Sequence, residues 1–562
     1  MDGTTGPTLA SRGSLSNDAS AAQQTPASAT RGRRRRTRWV WAIALFWILM
    51  ALGSMLVGIS LWVRRTFGVI SIDQLLSNLP GGGGEGAGGS EIVVNAVVTG
   101  ILIPLAIVLI LLFLVEKSRR ALREHGVLRG SRATWLRAIA TVLAVLVPLG
   151  GAALLGATIG LRDYVSALAR EAATGTSLAD YYANPLDSGV SVGQGGLGAV
   201  ASTGADGSAE MPNPLVGVKR QNLILIYLES IEDSFSDDSL FEKNMLEPLQ
   251  EATEGWDAIP SLQQYDGGGW TMSGIVSTQC GIPLRTAGSL SGPDELNDLG
   301  IGKPVVSYLP GATCLGDVLS AAGYRNVFLG GADASFAGKG AFLKTHGYDE
   351  VRDLPHWLEL GETEVRDDWG LSDRRLFDHA KEEVSRLHAA DEPFNLTMLS
   401  LDTHEGPRVY DYCDWNTETA MTSITFCSMQ QVSEFVEYLG DEGVLEDTAV
   451  VLMGDHQKMI AQGGSFFDEL NGRADRPIFN RVSVPGGASF AETEIDQFSM
   501  YPTLLELLGI EVPDHRAGVG VSALAADNEI PEGTIRDLTA DEYRDLVRSR
   551  SVDFYHELWS AQ

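Results

Sequence analysis

Gln221–Ser230 reads QNLILIYLES, six consecutive Leu, Ile or Tyr residues with no charge until Glu229. So short an apolar run, followed at once by polar residues, predicts a strand buried on both faces, as in a parallel sheet. Open α/β sheets collect ligands at the carboxyl ends of their strands, and Glu229 stands at that end. Read alone, Glu229 is equally a solvated residue opening the next helix. A buried carboxylate there requires a cation or a partner to offset its desolvation.

Two further strand ends repeat the pattern. TAVVLMGDH, Thr448–His456, ends in Asp455 and His456, and FNLTMLSLDTH, Phe394–His404, ends in Asp402 and His404. Carboxylate oxygens combined with imidazole suit Mn²⁺, Mg²⁺ or Zn²⁺. Strands are expected over 223–228, 326–329, 394–401 and 448–453, and helices over 314–322, 372–388 and 497–508. This alternation predicts a doubly wound α/β domain with a mostly parallel sheet over residues 220–525. A fourth element, GGGWTMSGIVSTQCGIP, brings glycines up to Thr271 and then a helix-like stretch. Thr271 has two readings: a plain N-terminal cap, or a nucleophile set where backbone N–H groups favour a phosphate.

The 562 residues exceed one ordinary domain. With 42 basic and 73 acidic residues the net charge is -31, which argues against nucleic acid as a partner. The charge is uneven along the chain. Residues 1–38 are polar and then strongly basic (RGRRRRTR, Arg31–Arg38) and are expected to be disordered and cytoplasmic. Residues 39–162 hold three apolar runs long enough to span a bilayer, at 39–63, 92–115 and 138–161. The loop between the second and third carries Lys117, Arg119, Arg120, Arg123, Arg129, Arg132 and Arg137, which places it and the N-terminus in the cytoplasm. Everything after residue 162 is then extracytoplasmic, on a multi-pass plasma-membrane protein. Residues 163–219 read as a linker and 526–562 as a surface appendage. All four cysteines, Cys280, Cys314, Cys413 and Cys427, follow the spans, and an even number there predicts disulfides. Cys280, Pro283 and Arg285 miss the C-x-P-x-R pattern of sulfatases by one position, so Cys280 reads as a disulfide partner.

The segments NLILIYLES, WTMSGIVSTQCGIPL, CLGDVLSAAGYRNVFLGGADASFAGKGAFLKTHGYD, DDWGLSD, LDTHEGP and VVLMGDH resemble phosphoglycerol transferases. The type is that of lipoteichoic acid synthases and of the enzymes that decorate osmoregulated periplasmic glucans, within the alkaline phosphatase/sulfatase superfamily. The resemblance implies a metal-dependent transferase moving glycerol phosphate from phosphatidylglycerol to an envelope glycan or polymer through a phospho-threonine intermediate. It implies Thr271 as nucleophile and Glu229, Thr271, Asp455 and His456 as ligands of one divalent ion, manganese in the lipoteichoic acid synthases, with magnesium or zinc as alternatives. His404 matches a substrate-pocket histidine, and Lys339 falls where those synthases have a phosphate-binding arginine. Ala337 stands where they have tryptophan, which favours the glucan-modifying branch, and the five spans of those synthases compare with three here. Competing readings are a phosphoethanolamine transferase or lipid phosphodiesterase on the same scaffold, or a non-catalytic membrane receptor or scaffold.

Overall fold

The computed structural model describes residues 26–77, 94–124, 131–187, 191–192, 221–285, 307–366, 368–390 and 392–560. Among these, three helices are long and apolar enough to cross a membrane: Val40–Thr66, Ala96–Arg119 and Ala138–Thr158. The first belongs to a longer helix, Pro26–Thr66, so the basic run 31–38, expected to be disordered, is helical instead. The expectation for residues 1–25 lies outside the described residues. Two compact units divide the chain. One comprises Met1–Ser54 with Leu105–Leu149, and the other Met55–Pro104 with Gly150–Gln562.

The larger unit contains a six-stranded sheet. Its strands are β1 (Asn222–Leu228), β2 (Arg325–Gly330), β3 (Glu350–Arg352), β4 (Phe394–Leu399), β5 (Thr448–Gly454) and β6 (Asn480–Ser483). They lie in the order β3-β2-β4-β1-β5-β6, and only β6 is antiparallel. The β1 run is apolar throughout because both of its faces are covered. Leu223, Leu225 and Tyr227 join one core cluster and Ile224, Ile226 and Leu228 the other. The first core takes in helices Thr271–Cys280, Leu315–Ala321 and Met500–Leu507, and the second Asp373–His388 and Ala420–Asp441.

Cys280 is bonded to Cys314 and Cys413 to Cys427, so all four cysteines are disulfide-bonded as expected. The first bridge ties the end of the Thr271 helix to the start of the next.

The chain after 526 is not a surface appendage. Leu546, Val547 and Tyr555 are at most 1% exposed in the first core, and Trp559 Nε1 donates to Arg285 O at 2.9 Å. Charges on the outer faces of these short helices make them read as surface pieces, while their apolar faces fill the core. The start of the expected linker is also docked: residues Leu161–Thr174 form a helix. Its Glu171 carboxylate accepts the N–H groups of Arg550, Ser551 and Val552. Most of the remainder to 219 lies outside the described residues.

Candidate active site

Strand register assembles the site. Leu228 pairs with Gly454, so the next residue on each strand, Glu229 and Asp455, emerges side by side at the carboxyl edge of the sheet. One ligand atom from each of Glu229, Asp455 and His456 lies within 4.8 Å of the others, and all three residues are buried. His456 Nδ1 lies 2.7 Å from Gln457 O. A carbonyl only accepts, so Nδ1 carries the hydrogen and Nε2 is the ring nitrogen turned to the carboxylates. That Nε2 stands 3.5 Å from Asp455 Oδ2 and 3.7 Å from Glu229 Oε1.

Thr271 completes the cluster. Trp270, extended, occupies the cap position, and Thr271 is the first helical residue with no side-chain capping bond. Its hydroxyl instead donates to Glu229 Oε2 at 3.3 Å, so plain capping is not its role. The helix is brought up to the sheet by Gly274. A Cβ there would lie 2.0 Å from the Asp455 carbonyl oxygen. Gly274→Ala must therefore push Thr271 away from the carboxylates. A loss of about 1–3 kcal/mol or more is expected, with metal affinity falling alongside, as read by melting temperature and metal titration.

The surrounding bonds hold two carboxylates together. Ser230, at φ +58°, sits in a backbone region that costs a non-glycine residue. Its N–H donates to Asp455 Oδ1 at 2.8 Å and its hydroxyl to Glu229 Oε1 at 2.7 Å. Ser400 Oγ accepts the Glu229 N–H, and the Thr403 hydroxyl donates to Glu229 O. Asp455 Oδ2 is buried without a hydrogen-bond partner. Burial and the Glu229 charge push the Asp455 carboxyl up. Burial also raises Glu229, but His456, His404, the Ser230 hydroxyl and Lys458 outweigh it and hold that carboxyl down. An unpartnered carboxylate oxygen beside a second carboxylate and an imidazole nitrogen is a donor set that a divalent cation fits.

Lys339 and His404 lie within electrostatic reach of the same cluster. Lys339, buried at the start of helix Lys339–Thr345, feels the charges of Glu229 and Asp455, while burial lowers its ammonium below the usual lysine range. Burial likewise lowers His404, and its ring packs on Trp369 at 3.7 Å between centroids. Asp402, at a strand end like the ligands, turns away. Its Oδ2 accepts the Asp373 N–H and its Oδ1 the Tyr410 hydroxyl. Asp373 in return accepts the N–H groups of Leu401 and Asp402. The two buried carboxyls brace the turn that carries His404.

Burial first, and then each other's charge, raises Asp402, and burial raises Asp373. A pair whose folded value is raised stabilises the protein below the ordinary carboxylate range and loses that contribution as pH rises through the raised value. Thermal melts of the wild type should therefore fall across that window. Asp402→Asn, which keeps the acceptor for Asp373 N–H but removes one charge, should flatten the dependence.

Ser230, Ser400, Thr403, Lys458 and Trp369 are the residues that sequence reasoning missed. Ser230 and Thr403 sit inside the LES and DTH motifs, where adjacency was the available signal. Lys458, two residues past His456, donates to Thr403 O and pairs with Glu405 at 3.0 Å.

A model of the sulfatase family matches residues 221–510. The chain belongs to the sulfatase family. Within it, a phosphoglycerol transferase I from Xanthomonas campestris pv. campestris (strain B100) is 37% identical over 356 residues, 61% of this chain and 48% of that one. A phosphoglycerol transferase I from Salmonella paratyphi B is 29% identical over 330 residues, 57% of this chain and 40% of that one. The chain thus matches less than half the length of these curated relatives. Among solved structures, a lipoteichoic acid synthase from Listeria monocytogenes aligns with TM-score 0.43 and 17% identity, covering 60% of this chain and 91% of that one. In this sulfatase-family chain, Cys280 is bonded to Cys314 at the far end of the helix that Thr271 begins. The hydroxyl beside the carboxylates is therefore threonine's.

Proposed function

We propose that this protein is a membrane-anchored phosphoglycerol transferase that moves glycerol phosphate from phosphatidylglycerol to an envelope glycan or polymer through Thr271. The observation that carries the reading is the Thr271 hydroxyl at a helix N-terminus, bonded to Glu229 beside Asp455 and His456. Relatives named phosphoglycerol transferase I and three candidate spans agree with a lipid donor. The basic loop between the second and third spans supports an extracytoplasmic position for the catalytic domain, residues 220–525.

Thr271 Oγ1 attacks the donor phosphorus. The Oγ1–P bond forms, the bond from phosphorus to the diacylglycerol oxygen breaks, and the hydroxyl proton passes by way of Glu229 to the departing alkoxide. An acceptor hydroxyl then attacks the same phosphorus, its O–P bond replaces the one to Thr271, and the proton it gives up passes to Oγ1. Glu229, Thr271, Asp455 and His456 would hold one divalent ion, Mn²⁺ by resemblance with Mg²⁺ or Zn²⁺ as alternatives, supplying hydroxyl activation and charge neutralisation on the phosphoryl oxygens. Lys339 adds a positive charge toward the same oxygens, as a point charge without the bidentate fork of arginine. His404, fixed against Trp369, orients the donor glycerol or accepts the acceptor's proton.

The test is full-length protein with Mn²⁺ and phosphatidylglycerol bearing a fluorescent acyl chain. Release of fluorescent diacylglycerol with a glycerophosphate adduct on the Thr271 peptide is the expected result. Turnover of phosphatidylethanolamine in place of phosphatidylglycerol would assign a different head group. Silence on both lipids with metal bound would overturn the reading.

A further inference from the structure

A cavity of about 370 Å³ lies beside the catalytic cluster. One wall is made of the segments that leave the candidate spans: Val69 and Ile70 just after helix Pro26–Thr66, and Gly160 and Ala167 just after Ala138–Thr158. The opposite wall is the shoulder of the catalytic cluster. Gln457 to Ile460 directly follow His456, and Gln264 and Gly269 lead to Thr271. The two walls are fastened to each other. Gly68, at φ +76°, lies so close that a Cβ would meet Ile460 O at 2.6 Å, and Gln74 Nε2 donates to Met459 Sδ at 3.9 Å; within the second wall Gln264 Oε1 accepts the Gln457 N–H at 2.9 Å. Asp73 accepts a bond from Arg550 and lies 3.8 Å from Arg285 Nη1, and within the first wall Ile70 N–H donates to Thr158 O at 3.0 Å.

The lining has two characters. Val69, Ile70, Met459 and Ile460 are apolar, and Val69 is 66% exposed. On the neighbouring helix Val165 is 55% exposed, so the chain offers bare apolar side chains where it leaves the spans. Arg285, Lys458 and Arg550 are cationic and at most 5% exposed. Acidic Asp73, Asp163 and Asp266 also line the space. Asp73 is held by Arg550, and Asp266 by Arg548. Arg285 Nε is buried without a hydrogen-bond partner, a donor whose loss from water calls for an acceptor.

We infer that this cavity receives the phosphate and glycerol backbone of an anionic glycerophospholipid as it enters, before the phosphate passes to Thr271, with its acyl chains passing Val69 and Ile70 toward the bilayer. A preformed space of this volume suits a head group and backbone rather than two acyl chains. Buried guanidinium and ammonium groups supply charge-assisted donors for a phosphodiester. The inference rests on the proposed reading that the donor is a lipid, and it adds which residues receive it.

The test measures lipid occupancy by native mass spectrometry of the full-length, metal-loaded protein in detergent, titrated with phosphatidylglycerol. Ala167→Trp fills the cavity and Arg285→Gln removes a donor. Each is expected to lower occupancy at least tenfold with metal content like wild type; Arg285→Gln also loses the 2.7 Å bond to Val547 O, so its melting temperature falls and occupancy is read where circular dichroism shows it folded. Occupancy retained in either folded variant overturns the inference. In the wild type, phosphatidylglycerol with a photoreactive group near the glycerol should label residues 67–74 or 457–460, and labelling confined to the spans would also overturn it. Displacement by glycerol 3-phosphate as effective as by short-chain phosphatidylglycerol would assign the cavity to a soluble anion and overturn the lipid. Lipid turnover with unaffected cavity variants would sink this inference and leave the proposed function standing. Labelled, occupied protein without turnover would do the reverse.

Discussion

Thr271→Ala is expected to abolish transfer, with a fall of at least about 10³-fold, because no second nucleophile replaces the hydroxyl that forms the covalent intermediate. The loss should be chemical rather than structural. Thr271 is the first residue of its helix, the cap position belongs to Trp270, and no backbone group depends on the Thr271 side chain for a cap. The variant should therefore melt like wild type and retain most of its metal, since Glu229, Asp455 and His456 remain. Thr271→Ser keeps the hydroxyl and should keep measurable transfer with a seryl adduct in place of the threonyl one. Intact-protein mass spectrometry after mixing with phosphatidylglycerol reads all three proteins. An adduct on Thr271→Ala, or transfer within tenfold of wild type, would move the nucleophile elsewhere.

Asp455→Asn is the second large effect, and it tests the cation directly. Asn has nearly the same shape, and its carbonyl oxygen can still accept the N–H groups of Ser230 and His456 that Asp455 Oδ1 accepts now. What changes is the other position. Oδ2 is buried and without a hydrogen-bond partner, and an amide there presents N–H donors to the place where a cation would sit. Loss of outer partners alone typically weakens metal sites about 10–100-fold, so losing this ligand should cost more than about 100-fold in affinity by isothermal titration. The metal-free variant should be at least as stable as metal-free wild type, because the repulsion between Glu229 and Asp455 is relieved. Metal affinity within threefold of wild type would remove the cluster from consideration as the metal site.

Much of the fold was readable because β1 and β5 are buried on both faces and appear as uninterrupted apolar runs, while the equally buried β2 and β4 carry Asn326, Asn395 and Thr397 among their apolar residues. The observed strands Asn222–Leu228 and Thr448–Gly454 lie within a residue of the expected bounds. Glu229, Asp455 and His456 stood out because charged residues directly after such runs are conspicuous. The same rule misled for Asp402, which ends its strand in the same manner yet pairs with Asp373 on helix Asp373–His388. Period and polarity report that a residue ends a strand, but not which way the following turn carries it. The C-terminal helices were misread for a related reason: a short amphipathic helix discloses an apolar face without disclosing what covers it.

By itself the sequence determined a buried parallel sheet, three apolar spans, and carboxylates with an imidazole at the strand ends, since each depends on residue type and local spacing alone. Only the tertiary structure decided that Leu228 pairs with Gly454, that Gly274 lets the Thr271 helix touch Asp455, and that the segments leaving the spans close a cavity beside Lys458 and Arg285. Those facts join residues far apart in the chain, and such contacts are set by strand register and packing, which no local pattern encodes.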